Sequence, residues 1–279
     1  MSRLSAKFAE LKKEGRSAFI PFVSAGDPDM ETSFAILASL PGCGADIIEL
    51  GMPFSDPMAD GPAVQASSTR AIAAGATLSK VIELVRKFRR KDNKTPIVLM
   101  GYFNPIHAYG TARFARDVAA AGVDGLIAVD LPIEEDDVLR VPAAAQGVDL
   151  VRFVTPTTGE ERLKNILQAA SGYLYYVSVA GVTGTKSFSA QDVAAAVARI
   201  RAASSLPVAV GFGIKTPDQA ATIARIADGV VVGSAIVNMV AANLDQSPET
   251  VVKAVQELCT SLAQATRHAR SAKVETGFA

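Results

Sequence analysis

Short runs of consecutive apolar, largely β-branched residues recur along the 279-residue chain, and each is followed by a stretch in which apolar positions return every three or four residues. The runs fall at 18–23, 47–50, 97–100, 126–129, 150–154, 174–179, 208–210 and 230–232. They are nearly continuous in apolar residues instead of alternating, which is the pattern of parallel strands covered by helices. Helix starts between them carry capping chemistry. Thr216-Pro217-Asp218-Gln219 sets a cap, a proline at the first helical position and a capping-box glutamine in order. Thr158 with Glu161, and Ser189 with Asp192, predict two further N-termini.

Most of these repeats have the length of one βα unit. Eight of them without an internal linker predict an α/β fold, a single (β/α)8 TIM barrel with an extra N-terminal helix and a long loop after strand 2. Residues 1–279 are expected to form one domain, with a frayed tail from about residue 267. A doubly wound open sheet would carry a Gly-rich dinucleotide turn after its first strand. Here the first strand runs into Ser24-Ala25-Gly26-Asp27-Pro28 instead. The second and third strands stand about 50 residues apart, a gap that opens with Gly51-Met52-Pro53-Phe54-Ser55-Asp56-Pro57-Met58-Ala59-Asp60-Gly61-Pro62. Its prolines stiffen the segment, which favours a functional loop over a disordered one.

Composition narrows the function by exclusion. With 49% hydrophobic and 20% charged residues, extensive disorder is not expected. Equal numbers of basic and acidic residues, 28 of each, leave no basic excess for nucleic acid. The one basic cluster, Lys87-Phe88-Arg89-Arg90-Lys91, ends a helical pattern and reads as a solvated helix end. Cys43 and Cys259 are far apart in sequence and read as reduced thiols. They and the two histidines, His107 and His268, offer no metal-ligand spacing. No apolar signal segment or run long enough for a bilayer is seen, so a cytoplasmic protein with no membrane partner is expected.

Barrel chemistry sits at the C-terminal ends of strands, which narrows the search. Glu49 is near the end of the second strand, where burial would raise its pKa into the range of a general acid/base. On position alone it is as readily a surface-facing strand-end glutamate. Asp60 lies in the long loop, and alone it reads as the aspartate of an Asp-Gly turn. Three glycine-rich turns follow strands: Gly181-Val182-Thr183-Gly184-Thr185, Gly211-Phe212-Gly213 and Gly233-Ser234-Ala235. Tight βα turns would explain any one of them, but the three together favour a phosphate site. Residues 183–187 are small and polar enough for a lid, or for a plain surface loop. Phe22, Met100, Ile127, Val129 and Phe212 at strand ends could line a flat-ring pocket or simply be core. Tyr175, within the sixth strand, could face either way.

The stretch from Gly44-Ala45-Asp46-Ile47-Ile48-Glu49-Leu50 through Asp60-Gly61-Pro62 closely resembles the signature of tryptophan synthase α subunits. Ala25-Gly26-Asp27-Pro28, Met100-Gly101-Tyr102-Phe103-Asn104-Pro105, Ser178-Val179-Ala180-Gly181-Val182-Thr183-Gly184, Val210-Gly211-Phe212-Gly213-Ile214 and Val232-Gly233-Ser234-Ala235 also fit. The resemblance implies cleavage of indole-3-glycerol phosphate to indole and glyceraldehyde 3-phosphate, without a metal or Schiff base. It implies that Glu49 protonates C3 of the ring, that Asp60 binds the indole N–H, and that Tyr175 lies beside the substrate. Gly184, Gly213, Gly233 and Ser234 match phosphate ligands, and Phe22, Met100, Ile127 and Phe212 match positions around the indole. Thr183 falls on the lid. The resemblance further implies an α2β2 complex with a β subunit that carries pyridoxal phosphate, this chain needing no cofactor. Pro53, Asp56, Pro57 and Asn104 match interface positions. Met52, Met100, Val129 and the Thr185-Lys186-Ser187-Phe188 segment depart from commoner versions of the family pattern.

Overall fold

The computed structural model describes residues 2–177, 189–211 and 213–269. Among them are nine strands: β1 (Ala18–Ser24), β2 (Ile48–Gly51), β3 (Ile97–Gly101), β4 (Gly125–Ala128), β5 (Asp149–Leu150), β6 (Arg152–Val154), β7 (Leu174–Val177), β8 (Val208–Gly211) and β9 (Gly229–Val232). All pair in parallel, in the order β5-β4-β3-β2-β1-β9-β8-β7-β6. The two ends of that order are neighbours in the chain, parted by Val151 alone. One stave of an eight-staved barrel thus pairs with β4 through its first half and with β7 through its second. The apolar run at 150–154 is therefore one stave but two strands.

Alternation along the strands sorts side chains into two layers. Phe19, Ile48, Leu50, Leu99, Val210 and Val230 pack outward beneath the helices. Ile20, Ile47, Val98, Ile127, Ala209 and Val231 point inward and share a second cluster with Leu4, Phe8 and Leu11 of the N-terminal helix, Arg3–Lys13. Those three positions are four and three residues apart, hence on one helix face, and they plug the N-terminal end of the barrel.

The same end is fastened by a repeated device. Asp46, Asp124 and Asp228 each stand just before a strand, and their carboxylates accept the N–H of Phe19 (2.9 Å), Ile97 (2.8 Å) and Val208 (3.0 Å). Their own N–H groups donate back to the carbonyls of the same three residues. Each aspartate also pairs with an arginine: Arg16 with Asp46, Arg89 and Arg3 with Asp124, and Arg201 with Asp228.

Two expectations need correction. The run ending helix Leu78–Arg89 is not a solvated end throughout: Arg89 is nearly buried, donating to Asp124 and to the Gly122 and Thr95 carbonyls, while Lys87 and Lys91 lie over the Phe34 ring. Thr158 does not cap a helix, because its hydroxyl accepts from Thr155 N and helix Glu160–Ala169 begins after Gly159. By contrast, the long loop expected after strand 2 is present as residues 52–61, and helices Pro62–Ala73 and Leu78–Arg89 fill most of the rest of the gap before β3. The capping box at Thr216–Gln219 and the Ser189 cap on Asp192 N are also formed as expected. Cys43 and Cys259 are free and buried. Among the described residues, no helix is long and apolar enough to cross a membrane.

Candidate active site

Alternation within β2 fixes the direction of Glu49. Ile48 and Leu50 belong to the outer layer, so Glu49 must point into the barrel, in register with Phe22 of β1 and Val98 of β3. Its side chain is fully buried, and burial pushes its pKa up to about 8 against a smaller lowering by the Tyr173 hydroxyl. That hydroxyl donates to Oε1 at 2.6 Å. Oε2 has no hydrogen-bond partner among the described residues.

Asp60 reaches the same place from the loop after β2. The loop folds back over the barrel mouth, where the Tyr102 hydroxyl accepts from Ala59 N at 2.9 Å and the Phe54 and Tyr102 rings meet at 5.3 Å. Gln65, on the helix that follows, donates to the Asp60 carbonyl at 2.8 Å. Burial raises the Asp60 carboxyl to about 6, with Tyr102 opposing the shift. The two carboxyls are therefore tuned to different ranges, one above neutrality and one below it.

Both line a cavity of about 260 Å³ at the C-terminal end of the barrel. Phe22, Met100 and Tyr175 supply apolar and aromatic walls, and Gly213, Gly233 and Ser234 close the far side. Gly213 has φ +85°, and among the described residues a Cβ there would meet nothing within 4 Å, so its backbone stands open on that side. Gly233 precedes helix Ser234–Ala241, whose first intrahelical donors are Ile236 and Val237. The earlier N–H groups and the positive helix end are thus left for an anion. Lysine and arginine are absent from the lining among the described residues, where backbone N–H groups and the Ser234 side chain are available as donors. No group of three His, Cys, Asp or Glu is placed to share a metal ion among the described residues.

The structure thus brings together Glu49, Asp60, Tyr175, Gly213, Gly233, Ser234, Phe22 and Met100 around one cavity. Ile127 faces inward but packs in the inner core, away from the cavity lining. Gly184, Thr183 and Phe212 lie outside the described residues. Asp56 is exposed and Pro53 and Pro57 half-buried on the loop after β2, and Asn104 is exposed in helix Phe103–Tyr109, which follows β3. Sequence reasoning gave no role to Tyr173, Tyr102, Val64 or Ile214. Tyr173 was within reach, since it stands two residues before Tyr175 and shares its inward face.

Comparison with known proteins is consistent along nearly the whole chain. The family model described as tryptophan synthase alpha chain matches residues 8–267. The tryptophan synthase alpha chain of Gluconacetobacter diazotrophicus is 54% identical over 275 residues, covering 97% of this chain and 100% of that one. The crystal structure of tryptophan synthase subunit alpha from Legionella pneumophila superposes with a TM-score of 0.88 at 41% identity, covering 95% of this chain and 98% of that chain. A structure of tryptophan synthase from Mycobacterium tuberculosis in its aminoacrylate-bound form gives a TM-score of 0.85 at 33% identity, covering 96% and 100%.

Proposed function

This chain belongs to the tryptophan synthase alpha chain family, and we propose that Glu49 and Asp60 divide the work of the family's reaction between them. That reaction is the cleavage of indole-3-glycerol phosphate to indole and glyceraldehyde 3-phosphate, a carbon–carbon lyase step of tryptophan biosynthesis. It takes no cofactor from this chain; pyridoxal phosphate belongs to the β chain.

The observation that carries the division of labour is the pair of unlike carboxyls in one cavity. Near pH 7, a group at about 8 holds its proton and a group at about 6 is mostly ionised. Glu49 then delivers a proton from Oε2, the oxygen that Tyr173 does not hold, to C3 of the indole ring. The ring becomes an electron sink, with positive charge at its nitrogen, and the Asp60 carboxylate accepts the N–H and stabilises that charge. As the bond from C3 to the glycerol carbon breaks, its electrons return to the ring. The hydroxyl on that carbon becomes the aldehyde and gives its proton to Glu49, which restores the acid. Gly213, Gly233, Ser234 and Gly184 hold the phosphate, and Phe22, Met100, Phe212 and Tyr175 flank the ring, with Thr183 on the lid. Positioning by the phosphate supplies part of the rate that proton transfer alone does not.

Asp60→Asn tests the electrostatic half. It is expected to lower kcat by about 10²–10³-fold, the scale of losing one preorganised charge-stabilising group, while binding of a phosphate-bearing substrate analogue stays within a factor of a few. An Asp60→Asn enzyme with normal kcat overturns the assignment.

The family implies a complex with a β chain. We read Pro53, Asp56, Pro57 and Asn104 as its contact points in an α2β2 assembly, formed in the cytoplasm by a chain that is one domain over 1–279. The same loop carries Met58, an apolar side chain left 79% exposed, which suits a surface that a partner covers. Size-exclusion chromatography with and without a β chain decides this, since a chain that never shifts to the heavier species has no such interface.

A further inference from the structure

The N-terminal helix does more than fill space under the barrel. Phe8 is only 6% exposed, and its ring centroid lies 5.7 Å from that of Tyr173, which is wholly buried and bonded to Glu49. The other side of Phe8 lines an open groove of about 580 Å³ at the N-terminal end of the barrel, together with Ser5, Ala9, Lys12, Asp149 and Ser171. Ser5, Ala9 and Lys12 are exposed, so this groove communicates with solvent. The Phe8 ring therefore stands between that groove and Tyr173, at the end of the barrel opposite to substrate entry.

We propose that Phe8 is a positioning residue for Glu49: its ring seals the barrel from below and keeps water of the N-terminal groove away from the Tyr173–Glu49 pair. The proposal rests on the reading of Glu49 as the proton carrier. Truncating the ring opens a space larger than a water molecule on the solvent side, against Tyr173, whose hydroxyl holds Oε1 of Glu49. Hydration favours the charged form and so lowers the proton affinity of the carboxyl.

Few other groups could produce such a change. Tyr173 and Tyr175 face Glu49 from the β7 stave, and Asp60 faces it across the cavity. The flanking strands β1 and β3 carry no titratable side chain. On the N-terminal helix, Arg3 is paired with Asp124 and Lys7 with Glu10, while Lys12 borders the groove. Substituting Phe8 alters none of these charges, so a shift on truncation reads solvent access.

The test follows the Glu49 carboxyl by ¹³C NMR in enzyme labelled at glutamate, with Glu49→Gln identifying the resonance, alongside the pH profile of kcat. Phe8→Ala is expected to lower the carboxyl midpoint by about one pH unit or more, and to move the alkaline limb of kcat down with it. Phe8→Leu, which keeps the apolar bulk, is expected to restore both. If Phe8→Ala does not fold, Phe8→Val is expected to show a smaller shift of the same sign. An unmoved midpoint in a folded truncation overturns the proposal. A midpoint that falls while the kcat limb stays put supports the seal and overturns the reading of Glu49 as proton carrier.

Discussion

The Tyr173 hydroxyl donates to Oε1 of Glu49 at 2.6 Å, while Oε2 of the same carboxyl has no hydrogen-bond partner among the described residues. One oxygen is held and the other is left to the substrate. The bond also steadies the ionised form, so it works against the burial that raises the pKa.

Tyr173→Phe separates these two effects. It is expected to lower kcat by about tenfold through looser orientation, and to move the alkaline limb of the pH profile upward, because the group that favoured the carboxylate is gone. A limb that moves downward contradicts this account of the pair.

Glu49 should also cost stability as pH rises. Its folded pKa, about 8, lies above the ordinary value of 4.5. Between these values the folded chain holds a proton that the unfolded chain has released, so stability falls as pH climbs through the window and levels off above it. Glu49→Gln removes the burden and is expected to be more stable than wild type at pH 8, on the order of a few kcal/mol, with parity near pH 4. Urea denaturation across that range checks the sign. Equal slopes for the two proteins would show that the carboxyl is not desolvated as described.

Gly213→Val tests the phosphate site. At φ +85° a β-branched residue is strained, and the strain falls on backbone that lines the cavity where an anion would approach. KM is expected to rise at least about tenfold, the scale of one lost charged contact, with kcat changed less. An unchanged KM would count against Gly213 as a ligand.

Asp124→Ala tests the fastening at the N-terminal end. It leaves nearly buried Arg89 without its carboxylate and Ile97 N without its side-chain acceptor. A loss of about 3 kcal/mol or more is expected in urea titration, with KM unaffected because the site is at the opposite end. A loss below about 1 kcal/mol would make the ion pairs there decorative.

Periodicity alone located eight staves, since covered parallel strands read as apolar runs whatever their pairing. It could not show that the stave at 150–154 divides its pairing between β4 and β7, because that depends on barrel stagger and not on side-chain pattern. The same stagger explains Ile127: alternation sets which way it faces, but not whether it reaches the mouth. Glu49 was ambiguous by position and became clear only with its motif. Tyr102 was quoted within a motif yet given no task, since its contact with Ala59 exists only once the loop has folded back. Asp46, Asp124 and Asp228 passed unnoticed because a single aspartate before a strand is common, and the repeat gains meaning only when each is seen binding its neighbour's backbone. Thr158 misled because its hydroxyl found a nearer donor in Thr155.

The most direct test of the central claim is indole release from indole-3-glycerol phosphate by wild type and Glu49→Gln, side by side at pH 7. The account predicts release by wild type and a fall of about 10²-fold or more in the variant, with its affinity for a phosphate-bearing analogue retained. Equal release by both proteins would contradict it, and would leave the cavity without its acid.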